Sequence, residues 1–427
     1  MGLTDHPLRR RAVDEMHLRR FAPVPKQCEI RQSVRLLSAD DRHAEDNWLI
    51  GDRPDFDAWG LRDRHAMGST KDNISFIWER HSEASTITLI LPPDCAPERR
   101  ADYIQWMELS PGRVVRATRV FVVPDFGDIE ALLDHHKMDR AELVGASISG
   151  GLNIWSDFGI RDDGYGRLLV NAGKVSAAER GRIIQRLQEL GNYRNMALLG
   201  LPLVQEYGPQ ADALEQQLSD HAERVALAKD GDQDDALLQE LIEISSRLEV
   251  IRSATGFRLS ATAAYASVAA DRLEALDVQQ VDDWQNLAEF TQKRLVPAAR
   301  TCSVFTERLA RIAERISRVM HTLDVRVDTR IKAQNLLLTK RMERSIQMQF
   351  RLQSLVEGLS VIAAAYYLIG LISFIIKGAV VWPDWNSPDG LIALLTLPVI
   401  IVIYMFVRRT KGLVLKDADL GSDKDRK

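Results

Sequence analysis

The sequence predicts an α+β protein: an α/β-like N-terminal domain with a mixed sheet, then an all-α helical region with a very long stalk helix and a C-terminal two-helix transmembrane hairpin. Three observations support this prediction. Residues 1–175 contain short runs rich in β-branched and aromatic residues, whereas apolar residues recur every three or four positions from residue 176 onward. Near the C terminus, two apolar runs contain no charged residue.

The N-terminal domain, residues 1–175, contains six runs that are typical of β-strands. They are rich in Val, Ile, Thr and aromatic residues and are bounded by turn residues. The predicted strands are Ile30–Leu37, Ile74–Trp78, Thr86–Leu91, Arg113–Val123, Glu142–Ser149 and Arg167–Val170, with short helices at Asp41–Ile50 and Asp128–His136. The pattern predicts a mixed sheet and leaves the order of its strands open.

The second domain, residues 176–296, is predicted to be helical. Ser176 precedes Glu179 by three residues, which is the spacing of a capping box at a helix start. Proline and glycine interrupt helical patterns, so breaks are expected at Pro202, at Pro209 and at Asp230-Gly231. The predicted helices are 176–201, 209–229, 233–254, 259–277 and 280–294.

A single long helix is predicted to begin near Pro297, because proline suits the first turn of a helix, and to continue to Ile376. Its part 297–358 would form a charged stalk. A helix of this length cannot bury its sides alone. We therefore expect the stalk to pack on its own domain, on copies of itself, or on both.

Two transmembrane helices are predicted at residues 359–376 and 391–407, joined by an outer loop at 377–390 and followed by a tail at 408–427. Each run is close to the roughly 20 residues that a helix needs to cross a bilayer. Basic residues flank both spans, and the first twenty residues contain no apolar signal segment. By the positive-inside rule, we expect both termini to be cytoplasmic.

The composition and the motifs of the chain exclude several classes of function. The formal net charge of −4, with acidic and basic residues interspersed, excludes a broadly basic nucleic-acid binder. Cys28, Cys95 and Cys302 lie far apart, which fits ordinary buried thiols in a reducing compartment. The sequence contains no nucleophile elbow, zinc-protease motif, kinase signature or phosphate loop, so it predicts no catalytic residues and no enzyme.

The first candidate site is a polar face on the helix that enters the membrane, formed by Gln353, Glu357, Ser360 and Tyr367. At about 100° per residue, these positions fall within roughly 80° of one another. In a ring of identical helices this face would line a pore, with Glu357 as a carboxylate ring at the cytoplasmic mouth. Alternatively, they are hydrated residues at the membrane interface, since only Ser360 and Tyr367 lie well inside the span.

The second candidate site contains Glu79, His81 and Glu83. If residues 74–83 form one strand, alternation places these side chains on a common face, with two carboxylates and an imidazole for a divalent cation. Alternatively, they belong to a salt-bridged surface with arginines such as Arg80. The sequence establishes no cofactor with certainty, and a divalent cation is the candidate.

Five stretches resemble one bacterial family, domain-of-unknown-function family 3422, described as predicted membrane-anchored proteins. They are DEMHLRRF at 14–21, WERHSE at 78–83, GRIIQRLQELGNYRNMALLGLP at 181–202, RTCSVFTERL at 300–309 and QMQFRLQSLVEGLSVIAAAYYLIGL at 347–371. The resemblance covers nearly the whole chain. It implies an anchor in the bacterial inner (cytoplasmic) membrane and implies no activity.

The order of the predicted parts resembles the architecture of CorA-type metal-ion transporters, which are pentameric and carry a Gly-Met-Asn signature at the end of their first span. This sequence has Ile376-Lys377-Gly378-Ala379 there. The first hypothesis is therefore a homo-oligomeric CorA-like ion channel or transporter without that signature. The alternative is a membrane-tethered interaction or scaffold protein with a non-conducting hairpin, which would bind a cytoplasmic protein partner.

Overall fold

The computed structural model describes residues 5–10, 12–13, 22–51, 53–62, 64–124, 127, 129–228, 233–281, 284–379, 397–406 and 408–409. The chain divides into two compact units, Met1–Thr322 and Leu323–Lys427. A mixed sheet in the first unit is followed along the chain by helices, one of them very long. The α+β class is therefore confirmed.

The described part of the chain contains a ten-stranded sheet in the order β10-β7-β8-β9-β6-β1-β5-β4-β3-β2. Strand β6 pairs in parallel with β9, and β10 pairs in parallel with β7, whereas the other pairs are antiparallel. The strands are β1 Cys28–Leu36, β2 Ala58–Arg62, β3 His65–Ser69, β4 Ser75–Arg80, β5 Ala84–Leu91, β6 Arg113–Val123, β7 Val144–Ile148, β8 Leu152–Ser156, β9 Gly166–Asn171 and β10 Gln285–Asn286.

Each of the six predicted strands has a counterpart in this sheet, and the bounds of β6 agree with the prediction. The sequence pattern does not predict β2, β3, β8 and β10. Strands β2 and β3 contain Gly60 and Gly68, which lower the strand signal. Strand β10 has two residues and pairs with Val144 and Gly145, far away in sequence, so no local pattern marks it.

The helices are α1 Ala39–Ile50, α2 Pro97–Glu108, α3 Ile129–His135, α4 Ala177–Leu198, α5 Gly200–Leu227, α6 Asp234–Ala275 and α7 Leu287–Ala379. The predicted capping box of α4 is confirmed in part. The Ser176 hydroxyl accepts a hydrogen bond from the backbone N–H of Glu179 at 3.2 Å, whereas the Glu179 carboxylate pairs with Arg182. Helix α2 is absent from the prediction. It buries Tyr103, Trp106 and Met107, which have the i, i+3, i+4 spacing of a helix, and it has a proline in its first turn, so the sequence contains a helical signal that the prediction missed.

The predicted break at Leu201-Pro202 lies close to a real helix boundary, since α4 ends at Leu198 and α5 begins at Gly200. The predicted break at Gly208-Pro209 is wrong, since α5 continues through Pro209. Pro202 lies in the first turn, where a backbone N–H has no partner within the helix. Pro209 lies inside the helix, where packing of Ala211, Leu214 and other buried residues holds it. The predicted break at Asp230-Gly231 lies outside the described residues.

Two further helix boundaries differ from the prediction. The predicted helices 233–254 and 259–277 form one helix, α6, which buries Thr255 and Leu259 across the expected gap. Helix α7 begins at Leu287, so Pro297 lies inside it. Phe290 and Leu295 on this first part of α7 belong to the core, and their burial offsets the hydrogen bond that the proline removes.

The sheet carries apolar cores on its two faces. One core joins Ile77 and Ile90 to side chains of α4 and α6. The other contains Phe76, Trp78 and Leu89 together with residues of α1 and α2. Because side chains alternate between the faces of a strand, neighbouring residues of β4 and β5 contribute to different cores.

Candidate functional site

The C-terminal part of α7 has an exposed apolar surface. Within this helix, an 18-residue window has a mean hydropathy of 1.9, and 6% of that window is buried. Exposed side chains there include Leu359, Ile362, Tyr366, Tyr367 and Leu371. By length and composition, this helix is able to cross a membrane.

The second predicted span, residues 391–407, is described only in part. Leu397–Phe406 forms a short apolar helix, and the other residues of this span lie outside the described part of the chain. The outer loop predicted at 377–390 also falls mostly outside it, and α7 continues to Ala379. The described residues thus contain one helix long enough to span a membrane, and the hairpin stays a prediction.

The four predicted pore-lining residues all lie on α7, as expected from their helical spacing. Gln353, Ser360 and Tyr367 are exposed, and Glu357 is half-buried. The Ser360 hydroxyl donates to the backbone carbonyl of Val356 at 2.8 Å, as serine in a helix often does. Lining a pore requires several copies of this face, so that role stays a prediction.

The common strand face predicted for Glu79, His81 and Glu83 does not form. Strand β4 ends at Arg80, and the backbone N–H of His81 donates to the carbonyl of Ala84 at 2.7 Å in the turn that leads to β5. Only Glu79 therefore lies on a strand. The alternation that would align the three side chains stops before His81.

The three side chains meet different neighbours. Both oxygens of Glu83 accept hydrogen bonds from Arg258, at 2.9 and 2.6 Å. The ring Nε2 of His81 lies 3.3 Å from the Thr86 hydroxyl. This arrangement includes an ion pair of the kind that the alternative interpretation expects, but with Arg258, an arginine 175 residues away.

Glu79 and His81 line a cavity of about 240 Å³ between the sheet, α4 and α6, whereas Glu83 is not among its lining residues. Tyr265 also lines it, and burial together with a hydrogen bond to Glu83 raises the pKa of this phenol to about 12. Among the described residues, no group of three His, Cys, Asp or Glu side chains is arranged to hold a metal ion. Metal binding at Glu79, His81 and Glu83 stays a prediction.

The three cysteines are free and buried. Burial raises the pKa of the Cys28 thiol to about 12, which leaves it protonated and unreactive at neutral pH. The prediction of ordinary buried thiols is therefore confirmed.

Comparison with known proteins identifies a family. No curated protein matches the chain, so the resemblance to CorA-type transporters has no support from that comparison. The sequence profile of a family described as "Protein of unknown function (DUF3422)" matches residues 4–414, which is nearly the whole length. The chain therefore belongs to the DUF3422 family.

Proposed function

We propose that this protein is a membrane-anchored homo-oligomer in which α7 helices of several copies pack side by side and form a pathway for cations. The observation that carries the proposal is the apolar window of α7, of which 6% is buried. Exposed apolar surface of this extent is unfavourable in water, and a bilayer is the environment that accommodates a charge-free helical stretch of this length.

A second feature of α7 supports self-association. Before the apolar window, one face of the helix carries no charged residue over a width of about 100°, at about 100° per residue. We call it the charge-free face; it consists of Ile331, Leu338, Met342, Gln349, Leu352 and Val356. Leu338 and Met342 are more than half exposed in the single chain. Identical faces pack against one another in a parallel assembly without burying a charge.

The polar residues on the membrane-entering part of α7 support a conducting role. Gln353, Ser360 and Tyr367 extend the charge-free face toward the span, and Glu357 lies beside them. In a ring of copies, Glu357 would concentrate cations at the mouth of the pathway, and the tyrosine hydroxyls would lie within the span. Divalent and monovalent cations are both candidate cargo, because the Gly-Met-Asn signature is absent.

In this proposal, the bilayer is the bacterial inner membrane, the chain crosses it twice, and both termini are cytoplasmic. A single hairpin cannot enclose a pathway, so conduction requires an oligomer, of which a pentamer is one form. The assembly and its conduction are tested separately.

The assembly is tested by measuring the mass of the detergent-solubilised full chain by light scattering. We expect a defined oligomer of at least three copies, and Leu338→Lys should dissociate it because it places a charge on the charge-free face. Leu337→Lys is the matched control, since Leu337 is similarly exposed but lies about 100° away around the helix. A monomer or dimer would refute the pore.

Conduction is tested by flux of Mg²⁺ and K⁺ into liposomes that contain the purified oligomer. We expect Glu357→Ala to reduce cation flux or selectivity severalfold, because it removes the carboxylate ring. Arg351→Gln is the control, since it alters a charge about 120° away on the same helix. Unchanged flux and selectivity in Glu357→Ala would remove Glu357 from this role.

A second candidate function is a membrane tether that holds the N-terminal unit near a cytoplasmic partner. The observation that favours it is that the Met1–Thr322 unit has cavities of its own, of about 240 and 280 Å³, so it offers binding sites apart from the apolar window of α7. A membrane-bound monomer without cation flux would support the tether over the channel.

A further inference from the structure

A cavity of about 280 Å³ lies between β6, the β8–β9 region and α4 in the N-terminal unit. Three of its lining side chains are positively charged, namely Arg116, Arg167 and Arg194. None of the lining residues is Asp or Glu. Much of the remaining lining is apolar and includes Ile154, Phe158, Ile160, Leu168, Leu187 and Leu190.

Arg194 on α4 is the most deeply buried of the three cations, with 8% of its surface exposed. Its guanidinium lies over the ring of Phe158, 4.3 Å from the ring centroid, and 5.8 Å from that of Phe290. It makes no ion pair or hydrogen bond with the described residues. Burial accordingly lowers the pKa of this guanidinium to about 10.

Arg116 on β6 is held by neutral groups. Its Nη1 donates to the Asn192 side-chain oxygen at 2.6 Å, and its Nη2 donates to the Gln188 side-chain oxygen at 2.8 Å. Gly191 permits this approach, because a Cβ there would lie 2.6 Å from the guanidinium carbon. Burial and the charge of Arg194 lower the pKa of Arg116 to about 9.

Arg167 differs from the other two, since it forms an ion pair with Asp163 at 2.5 Å. Arg116 and Arg194 therefore add charge to the cavity that no described carboxylate balances. A buried cation is unfavourable unless an opposite charge or strong hydrogen bonds compensate it. Hydrogen bonds to Asn192 and Gln188 compensate Arg116, whereas Arg194 has only the ring faces of Phe158 and Phe290. This is the arrangement expected where the counterion of Arg194 comes from a ligand.

We propose that this cavity binds a small organic anion, a carboxylate or a phosphate ester of about one ring in size. Arg116 and Arg194 would hold the anionic group, because guanidinium groups bind carboxylate and phosphate oxygens through paired hydrogen bonds. Phe158, Leu187 and Leu190 would contact its apolar body. A cavity of about 150 Å³ holds benzene, so about 280 Å³ accommodates one ring with its anionic group.

The site is tested by calorimetric titration of the detergent-solubilised full chain with benzoate, phenyl phosphate and inorganic phosphate, and with benzyl alcohol as the uncharged probe. We expect at least one organic anion to bind with a Kd below about 1 mM, and benzyl alcohol to bind at least tenfold more weakly. The anion that binds more tightly distinguishes a carboxylate site from a phosphate-ester site. Absence of binding by all three anions at about 10 mM would overturn the proposal.

Arg194→Gln should weaken anion binding at least tenfold. Arg182→Gln is the matched control, because Arg182 lies on the same helix and its side chain is 60% exposed. Equal affinities of the two variants would contradict a role for Arg194.

A second test of the anion site keeps all three arginines in place. Asn195 on α4 lines the same cavity, so Asn195→Glu supplies a carboxylate from the chain itself. We expect this variant to lose anion binding and to show a higher Tm than the wild-type chain without anions, whereas Asn195→Gln keeps both properties. An unchanged affinity and Tm in Asn195→Glu would refute the uncompensated charge on which the proposal rests.

Discussion

The carboxylate of Glu83 is bound at both oxygens by Arg258, and only 9% and 16% of these two side chains are exposed. Removing one member of such a pair leaves a charge with little access to water. We expect Glu83→Gln to lower the free energy of unfolding by about 3 kcal/mol. Denaturant unfolding of the solubilised chain, followed by tryptophan fluorescence, measures this loss.

Glu249→Gln is the control for that experiment. Glu249 also pairs with an arginine of α6, Arg252, at 3.3 Å, but these side chains are 69% and 49% exposed. Exposed pairs typically contribute below about 1 kcal/mol, so this variant should differ little from the wild-type chain. Equal losses of unfolding free energy in the two variants would show that the buried Glu83–Arg258 pair stabilises the fold no more than the exposed pair does.

Glu29 on β1 should make stability depend on pH. Burial alone would raise the pKa of Glu29, but a hydrogen bond from Arg119 and the charges of Arg31 and Arg100 outweigh it and lower the pKa from 4.5 to about 2. The Arg119 Nε lies 2.6 Å from the carboxylate. Because the folded-state pKa is the lower one, the stabilisation is present above about pH 5 and is lost as the pH falls toward 2.

This prediction is measured by comparing Glu29→Gln with the wild-type chain from pH 7 down to pH 2. The shift in pKa corresponds to roughly 3 kcal/mol, so the wild-type chain should be more stable at pH 7 by an amount of this order. The difference in unfolding free energy should then shrink steadily below pH 5. A difference that stays constant over this range would contradict the assignment.

At the scale of the element, helix α5 contains a proline whose unfavourable effect on the helix is outweighed by packing. Pro209 lies inside this helix and is exposed, so it removes a backbone hydrogen bond to the carbonyl of Gln205 without adding buried surface. We expect Pro209→Ala to raise the free energy of unfolding by about 1–3 kcal/mol, since alanine is the better helix former by about 3 kcal/mol. The Tm of the solubilised chain reports the change.

Pro202→Ala is the paired control in the same helix. Pro202 lies in the first turn, where proline costs little, so its replacement should leave Tm nearly unchanged. A larger gain at Pro202 than at Pro209 would contradict the assignment of the unfavourable proline to position 209.

At the scale of the whole molecule, the apolar window of α7 should determine where the chain resides. We expect the wild-type chain to remain with membranes after alkaline carbonate extraction. Leu368→Arg combined with Leu371→Arg should release it, because each arginine near the centre of a span costs about 2.5–3.5 kcal/mol on insertion. Both side chains are exposed in the described structure, so neither substitution disturbs a core.

The control introduces the same charges outside the apolar window of α7, at Val325 and Leu336. These residues are also exposed and apolar, and they precede the predicted span. The Val325→Arg and Leu336→Arg double variant should therefore remain with membranes. Release of both double variants would indicate that the chain is held through the stalk, and release of neither would contradict anchoring by the apolar window.

Comparison of particular elements shows why some features could be predicted. The bounds of β6, the Ser176 cap and the continuity of α7 beyond Pro297 all follow from short-range signals. These are strand-forming residues between turns, a hydroxyl at the start of a helix, and a long run of helix-forming residues that isolated glycines do not interrupt. The break predicted at Pro209 failed because the cost of a proline inside a helix is outweighed by the burial of neighbouring apolar residues. Strand β10 was not predicted, because two residues are too few to show an alternating pattern.

The candidate sites show the same contrast between features that local sequence sets and features that long-range packing sets. The sequence alone determined that Gln353, Glu357, Ser360 and Tyr367 share one face of a helix, because helical geometry depends only on local spacing. Tertiary structure alone decided that Glu83 binds Arg258 and that Arg116 and Arg194 line one cavity. Their positions depend on how distant segments pack around the sheet, and a single sequence does not record which distant residues meet.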